Sequence, residues 1–184
     1  MSTWLWIIFV VAVVVIAVLV LSAAIQRRRT ERLRDGFGPE YDRTVDRAGG
    51  RGAAEAELRE RQHRREELEL RPLAPLARKG FLDAWQGTQA EFVDDPAVAI
   101  SDADRLIQNV MRDRGYPVED FEERAALVSV DHPEVVERYR RAHSIAVANA
   151  DGSTDTDTED LRIAMQDYRA LFVELVERDT VDAS

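Results

Sequence analysis

Apolar positions fall along this chain in three regimes. From Trp4 to Ile25 they are continuous, WLWIIFVVAVVVIAVLVLSAAI, with no charged residue and only Ser22 polar. About twenty apolar residues are what a helix needs to cross a bilayer core of roughly 30 Å. Lipid offers no partner to a bare N–H or C=O, so this run predicts a helix despite its many Val and Ile residues. From Gln26 to Leu70 apolar positions are sparse. From Leu73 onward they recur every three or four residues, the period of helices with one buried face.

Gly36, Gly38, Pro39, Gly49, Gly50 and Gly52 break the sparse region. They predict a poor continuous helix and a flexible joint at Gly49–Gly52. These glycines lack the GxGxxG spacing and the Lys-Ser/Thr of a phosphate loop. The next segment, AAEAELRERQHRREELEL, favours helix, with Glu57/Arg61 and Glu60/Arg64 four apart and the acid first. Its apolar stripe is thin (Ala54, Leu58, then Leu68), which predicts a solvated connecting helix.

The periodic region reads as helices with brief joints. Pro75 opens one, with Phe81, Trp85, Thr88 and Phe92 on a line. Asp95 caps the next and Pro96 opens it, with Ala99, Ala103, Leu106 and Val110 inward. Gly115 and Pro117 end that helix. A shorter one follows over 118–128 with Phe121, Ala125 and Val128 inward. Asp131-His132-Pro133 starts another, carrying Val135, Tyr139, Ala142 and Ala146. Thr156 and Glu159 suggest a capping box for the last helix. There Leu161, Met165, Tyr168, Phe172 and Leu175 form the cleanest apolar seam. Alternating strand patterns are absent.

The expected architecture is therefore all-α. It has a transmembrane anchor (1–25), a basic juxtamembrane and Gly-rich linker (26–52), a charged connecting helix (53–72), an acidic bundle of four or five helices (73–179) and a tail (180–184).

Charge adds a direction. From Gln26 to Pro72 there are 13 Arg and no Lys against 11 Asp and Glu, a net +2; from Leu73 to Ser184 there are 12 Arg and Lys against 24 acids, a net −12. Phosphate binding needs basic side chains, so the distal region is a poor nucleic-acid partner. Arg27, Arg28, Arg29, Arg32 and Arg34 directly follow the apolar run, whereas only Met-Ser-Thr precedes it. The positive-inside bias then predicts a plasma-membrane protein with its N-terminus outside and its acidic domain in the cytoplasm. Trp4 and Trp6 suit the interfacial aromatic belt at the outer end, and Arg27, Arg28 and Arg29 the inner one. The alternative is a cleaved signal and a secreted protein, since Ser22 and Ala24 have signal-peptidase spacing. The partners expected are the lipid bilayer and another protein.

Candidate chemistry is thin. The chain has no Cys, which removes disulfides and thiolate sites, and three histidines. His63 lies on the charged helix, His132 in a capping turn and His143 on the helix of Tyr139, with no HExxH or His pair four apart. The loop Asp151–Asp160 fails as a calcium loop, because Arg162 stands where an EF-hand needs Glu. Asp94 and Asp95 read as one helix cap and one solvated acid. Tyr139 reads as a core residue beside the solvated arginines Arg138, Arg140 and Arg141. No catalytic, metal or cofactor-binding residue is expected. The function expected is a non-enzymatic interaction or scaffold module. The alternative is a small-molecule or sensory domain, with Tyr116, Tyr139 or His143 lining a pocket.

Several strings together, among them LRDGFGPEYDRTV, EFVDDPAVAISDADRLIQNVMRDRGYPVEDFEERA and TEDLRIAMQDYRALF, resemble a family of bacterial hypothetical proteins from high-GC genomes. The resemblance covers most of residues 33 to 176. It implies an N-terminal apolar helix and a helical remainder, and no activity.

Overall fold

The computed structural model describes residues 2–152 and 157–177. Among these, eight helices and no strand are found. They are α1 (Ser2–Phe37), α2 (Pro39–Ala48), α3 (Arg51–Glu66), α4 (Pro75–Asp94), α5 (Pro96–Arg114), α6 (Phe121–Asp131), α7 (Val136–Ala150) and α8 (Thr158–Val176). The chain divides into two compact units, Met1–Glu55 and Ala56–Ser184.

In the first unit α1 runs beyond the apolar stretch, through the arginines, to Phe37. Helix breaks then occur at Gly38 (φ 49°) and Gly49 (φ 70°), positive values that L side chains rarely adopt. The region expected to be a linker is nonetheless mostly helical, with Leu33, Phe37, Tyr41 and Thr44 buried. Glu55 explains part of this order. Its carboxylate accepts hydrogen bonds from Thr30 Oγ1 (2.7 Å) on α1 and Tyr41 OH (3.3 Å) on α2. The sequence reading weighed the glycines here and missed these polar ties.

In the second unit the core comes from the expected lines. Ala99, Ala103, Leu106 and Val110 of α5, Tyr139, Ala142 and Ala146 of α7, and Leu161, Met165, Tyr168, Phe172 and Leu175 of α8 are buried together. Trp85 of α4 stacks on Phe172 at 4.7 Å between ring centroids. Asp95 caps α5 by accepting from the Val98 amide, and Asp120 caps α6 by accepting from that of Glu123. The last helix is capped one residue later than expected. Asp157 and Asp160 form a reciprocal capping box, while Thr156 lies outside the described residues. The α6–α7 joint also shifts: Asp131 ends α6 and α7 begins at Val136. The tail 180–184 lies outside the described residues.

No basic residue stands in the last turn of α8. Other helices supply the cations: Arg78 of α4 donates Nε to the Val176 carbonyl (2.8 Å), and Arg114 of α5 donates to that of Leu175 (3.2 Å). Both favour the negative end of the helix dipole.

The second half of α3 corrects the solvated-helix expectation. Leu58 and Arg61 are buried. Arg61 donates to Glu57 (2.6 Å) and to Ser129 Oγ of α6 (3.3 Å), and Arg65 pairs with Asp131 at the end of α6. Residues 54, 58, 61 and 65 step four, three, four. Two of them are arginines, whose aliphatic stems pack while their heads find acceptors.

The segment between α3 and α4 is strapped to the end of α5. Arg71 N donates to the Arg114 carbonyl (3.0 Å) and its Nε to that of Asp113 (2.8 Å). Gly115 permits this twice over. Its φ is 98°, and a Cβ there would lie 2.9 Å from the Glu69 carbonyl oxygen.

Candidate functional site

Helix α1 carries the expected anchor residues. It is long and apolar enough to cross a membrane, and none of its most apolar window is buried. Trp4 is 75% and Trp6 67% exposed near its start. Arg27, Arg28 and Arg29 are exposed directly after the apolar run. At 1.5 Å per residue the 22 residues from Trp4 to Ile25 span about 33 Å, close to a hydrocarbon core.

The second unit holds a half-buried polar cluster that the sequence did not suggest. Asp104 of α5 accepts hydrogen bonds from Tyr168 OH of α8 (2.7 Å) and Gln108 Nε2 of its own helix (2.6 Å), and meets His143 Nδ1 of α7 at 3.1 Å. Burial pushes the Asp104 carboxyl up, but the hydrogen bonds from His143 and Tyr168 outweigh it and hold the group below the usual carboxylate range. Burial first, then the Asp104 charge, pushes the Tyr168 phenol well above its ordinary value. The His143 ring stacks on Phe121 at 3.7 Å between centroids. Beside it, Arg124 of α6 donates to Tyr139 OH and to the Val118 carbonyl, both at 2.6 Å.

The signal for this cluster was present and had another meaning. Ile100, Asp104, Ile107 and Met111 step four, three, four along α5, so an acid occupies an apolar seam position. Only a partner from another helix makes that tolerable, and partners 39 and 64 residues away are not visible as local spacing.

The residues considered for a ligand pocket are thus committed elsewhere. Tyr116 OH donates to Asp131 (2.6 Å), Tyr139 accepts from Arg124 and His143 meets Asp104. His63 is exposed on α3, its ring 3.7 Å from Glu67. His132 lies beside Glu174 at 3.8 Å. Asp95 caps α5 and Asp94 is exposed. Arg140 is buried against Glu137 at 3.0 Å rather than solvated. Arg141 is solvated and makes a bidentate pair with the buried Asp167, at 2.6 and 2.8 Å.

Among the described residues, the surface cavities of this unit include two near α8. One, of about 620 Å³, lies between α7 and α8 and is lined by Glu134, Val135, Arg138, Arg169, Val173 and Glu174 among others. The second, of about 220 Å³, lies between α4 and α8 over Trp85 and Phe172. Arg169 and Val173 border both. Neither is lined by Tyr116, Tyr139 or His143. Among the described residues of this second unit the exposed large apolar ones, Leu76, Val93, Val98 and Val147, are single side chains of ordinary kind.

Comparisons with protein-family models, with curated proteins and with solved structures found no match.

Proposed function

We propose that this is a single-pass membrane-anchored protein whose acidic helical domain is a cytoplasmic, non-enzymatic interaction module. The observation that carries the reading is α1: among the described residues none of its most apolar window is buried, and arginines follow that window at once. Leaving that much apolar surface in water is unfavourable by about 25 cal/mol per Å², so a bilayer is its natural environment. Moving several guanidinium groups through hydrocarbon is costly, which favours arginines on the cytoplasmic side. An interaction role is supported by Asp104, Tyr116, Tyr139, His143 and Tyr168 being engaged by other side chains of the bundle, while charged residues line its surface grooves. The test is fractionation. The full chain should sediment with membranes and resist alkaline extraction, and a chain lacking residues 1–25 should be soluble. A full chain recovered in the soluble fraction would overturn the anchor.

A further inference from the structure

We propose that the groove between α7 and α8 is the docking face for a second copy of this chain, joined about a two-fold axis. The inference names the partner for the interaction role above and rests on that reading. One contact sets the antiparallel register of α7 and α8, and a second, from the turn before α7, lies toward the same end of the groove as Glu134. Arg141 lies on Asp167, and His132 lies beside Glu174. Counting from the Arg141–Asp167 contact places Arg138 of α7 within one residue of the level of Arg169 of α8. Both are exposed, and among the described residues neither makes a hydrogen bond or ion pair, although most other arginines of this unit do. Two like charges thus face each other across an open groove, in a domain with acids to spare.

The same register sets an acidic level beside the basic one. Glu134, in the turn that leads into α7, precedes Arg138 by four residues, and Glu174, which lies beside His132, follows Arg169 by five on α8, about 7.5 Å along the helix; both lie toward the same end of the groove. Ala170 and Val173 fall between the levels and Val135 faces them, giving a small apolar centre. A face with acids at one end, bases at the other and apolar residues between is its own complement. A two-fold axis through that centre sets each copy's arginines against the acidic end of the other, where Glu134 is exposed, the isologous arrangement of most homodimers. Exposed ion pairs are individually weak. Confinement of both copies to one membrane raises their effective concentration and makes a small interface sufficient.

The chain has no cysteine, so Ala170→Cys gives a unique thiol near the proposed axis. The full-length variant is oxidised mildly in membranes, and cross-linking is scored only on chain recovered in the membrane fraction. A disulfide-linked dimer is expected. Adding Arg138→Glu and Arg169→Glu makes the groove all acidic and should lower the yield about tenfold or more, since like charges then face each other. Adding Glu134→Arg instead should also lower it. Co-expressing these two charge variants, each carrying Ala170→Cys, should restore a mixed dimer, which also shows that both fold. Membrane-bound chain that does not cross-link overturns the proposal, as does cross-linking indifferent to the charge changes or a mixture that fails to recover. A monomer that uses Arg138 and Arg169 to hold another protein overturns it too. Absence of the chain from membranes would instead overturn the anchor.

Discussion

Asp104 and Tyr168, 64 residues apart in sequence, join α5 to α8 through a hydrogen bond of 2.7 Å. The same carboxylate holds His143 of α7, so one acid ties three helices. Asp104→Asn keeps the shape and weakens these bonds, and should cost about 1–3 kcal/mol at neutral pH. The pH dependence follows from the lowered carboxyl. A depressed acid contributes fully above its unfolded value of about 4, and its contribution is lost as pH falls through the folded value. Urea unfolding of the detergent-solubilised chain should therefore show stability falling below about pH 4, with a shallower fall in Asp104→Asn.

The tyrosines set the alkaline limit. Burial raises Tyr116, Tyr139 and Tyr168 well above the ordinary phenol, with Asp131 adding to it at Tyr116 and Asp104 at the other two. For a raised group the contribution is full below the unfolded value, about 10, and is lost as pH rises above it. Phenolate absorbance from these three should appear together with loss of helical circular dichroism. Three phenols titrating near pH 10, roughly as free tyrosine does, in a chain still helical would contradict their burial.

Two glycines should respond oppositely to alanine. Gly80 lies inside α4, exposed, with nothing within 4 Å of an added Cβ. Gly80→Ala should stabilise by about 0.8–1 kcal/mol, the helix propensity difference. Gly115→Ala should destabilise by at least about 1 kcal/mol, because it forces a positive φ on alanine and meets the Glu69 carbonyl. Thermal melts of both variants check the pair.

Helix content and core faces were legible because they follow from local spacing. The α8 seam, the Asp95-Pro96 start and the Gly115 stop each involve neighbours within one or two turns. Capping was legible to within a residue: Asp157 serves where Thr156 was expected, since either side chain suits the position. What escaped was polar and long-range. The line through Arg61 and Arg65 reads as solvent-facing until Ser129 and Asp131 are seen to receive it. Asp104 and Arg124 look like surface charges in the sequence; Tyr168 and His143 draw the first partly inside, and Tyr139 holds the second in the core. The open Arg138–Arg169 pair depends on the α7–α8 register, which no single helix contains.

The docking of α3 follows from the Arg65–Asp131 pair, which Tyr116 joins through its hydroxyl. Asp131→Ala removes the acceptor of both and should destabilise by about 1.5–3 kcal/mol. It should also loosen the end of α3 locally. Hydrogen exchange over residues 61–66 should speed up more than over α8, whereas equal acceleration in both would show only global loss of stability.

The most direct measurement of the central claim, that α1 anchors the chain with its bundle in the cytoplasm, is a pair of fusions at the C-terminus. One reporter fluoresces only in the cytoplasm and the other is active only when exported. The account expects fluorescence in the membrane fraction, on a chain of full length, and no exported activity. Exported activity alone, on a chain shortened at Ala24, would contradict both the anchor and the orientation.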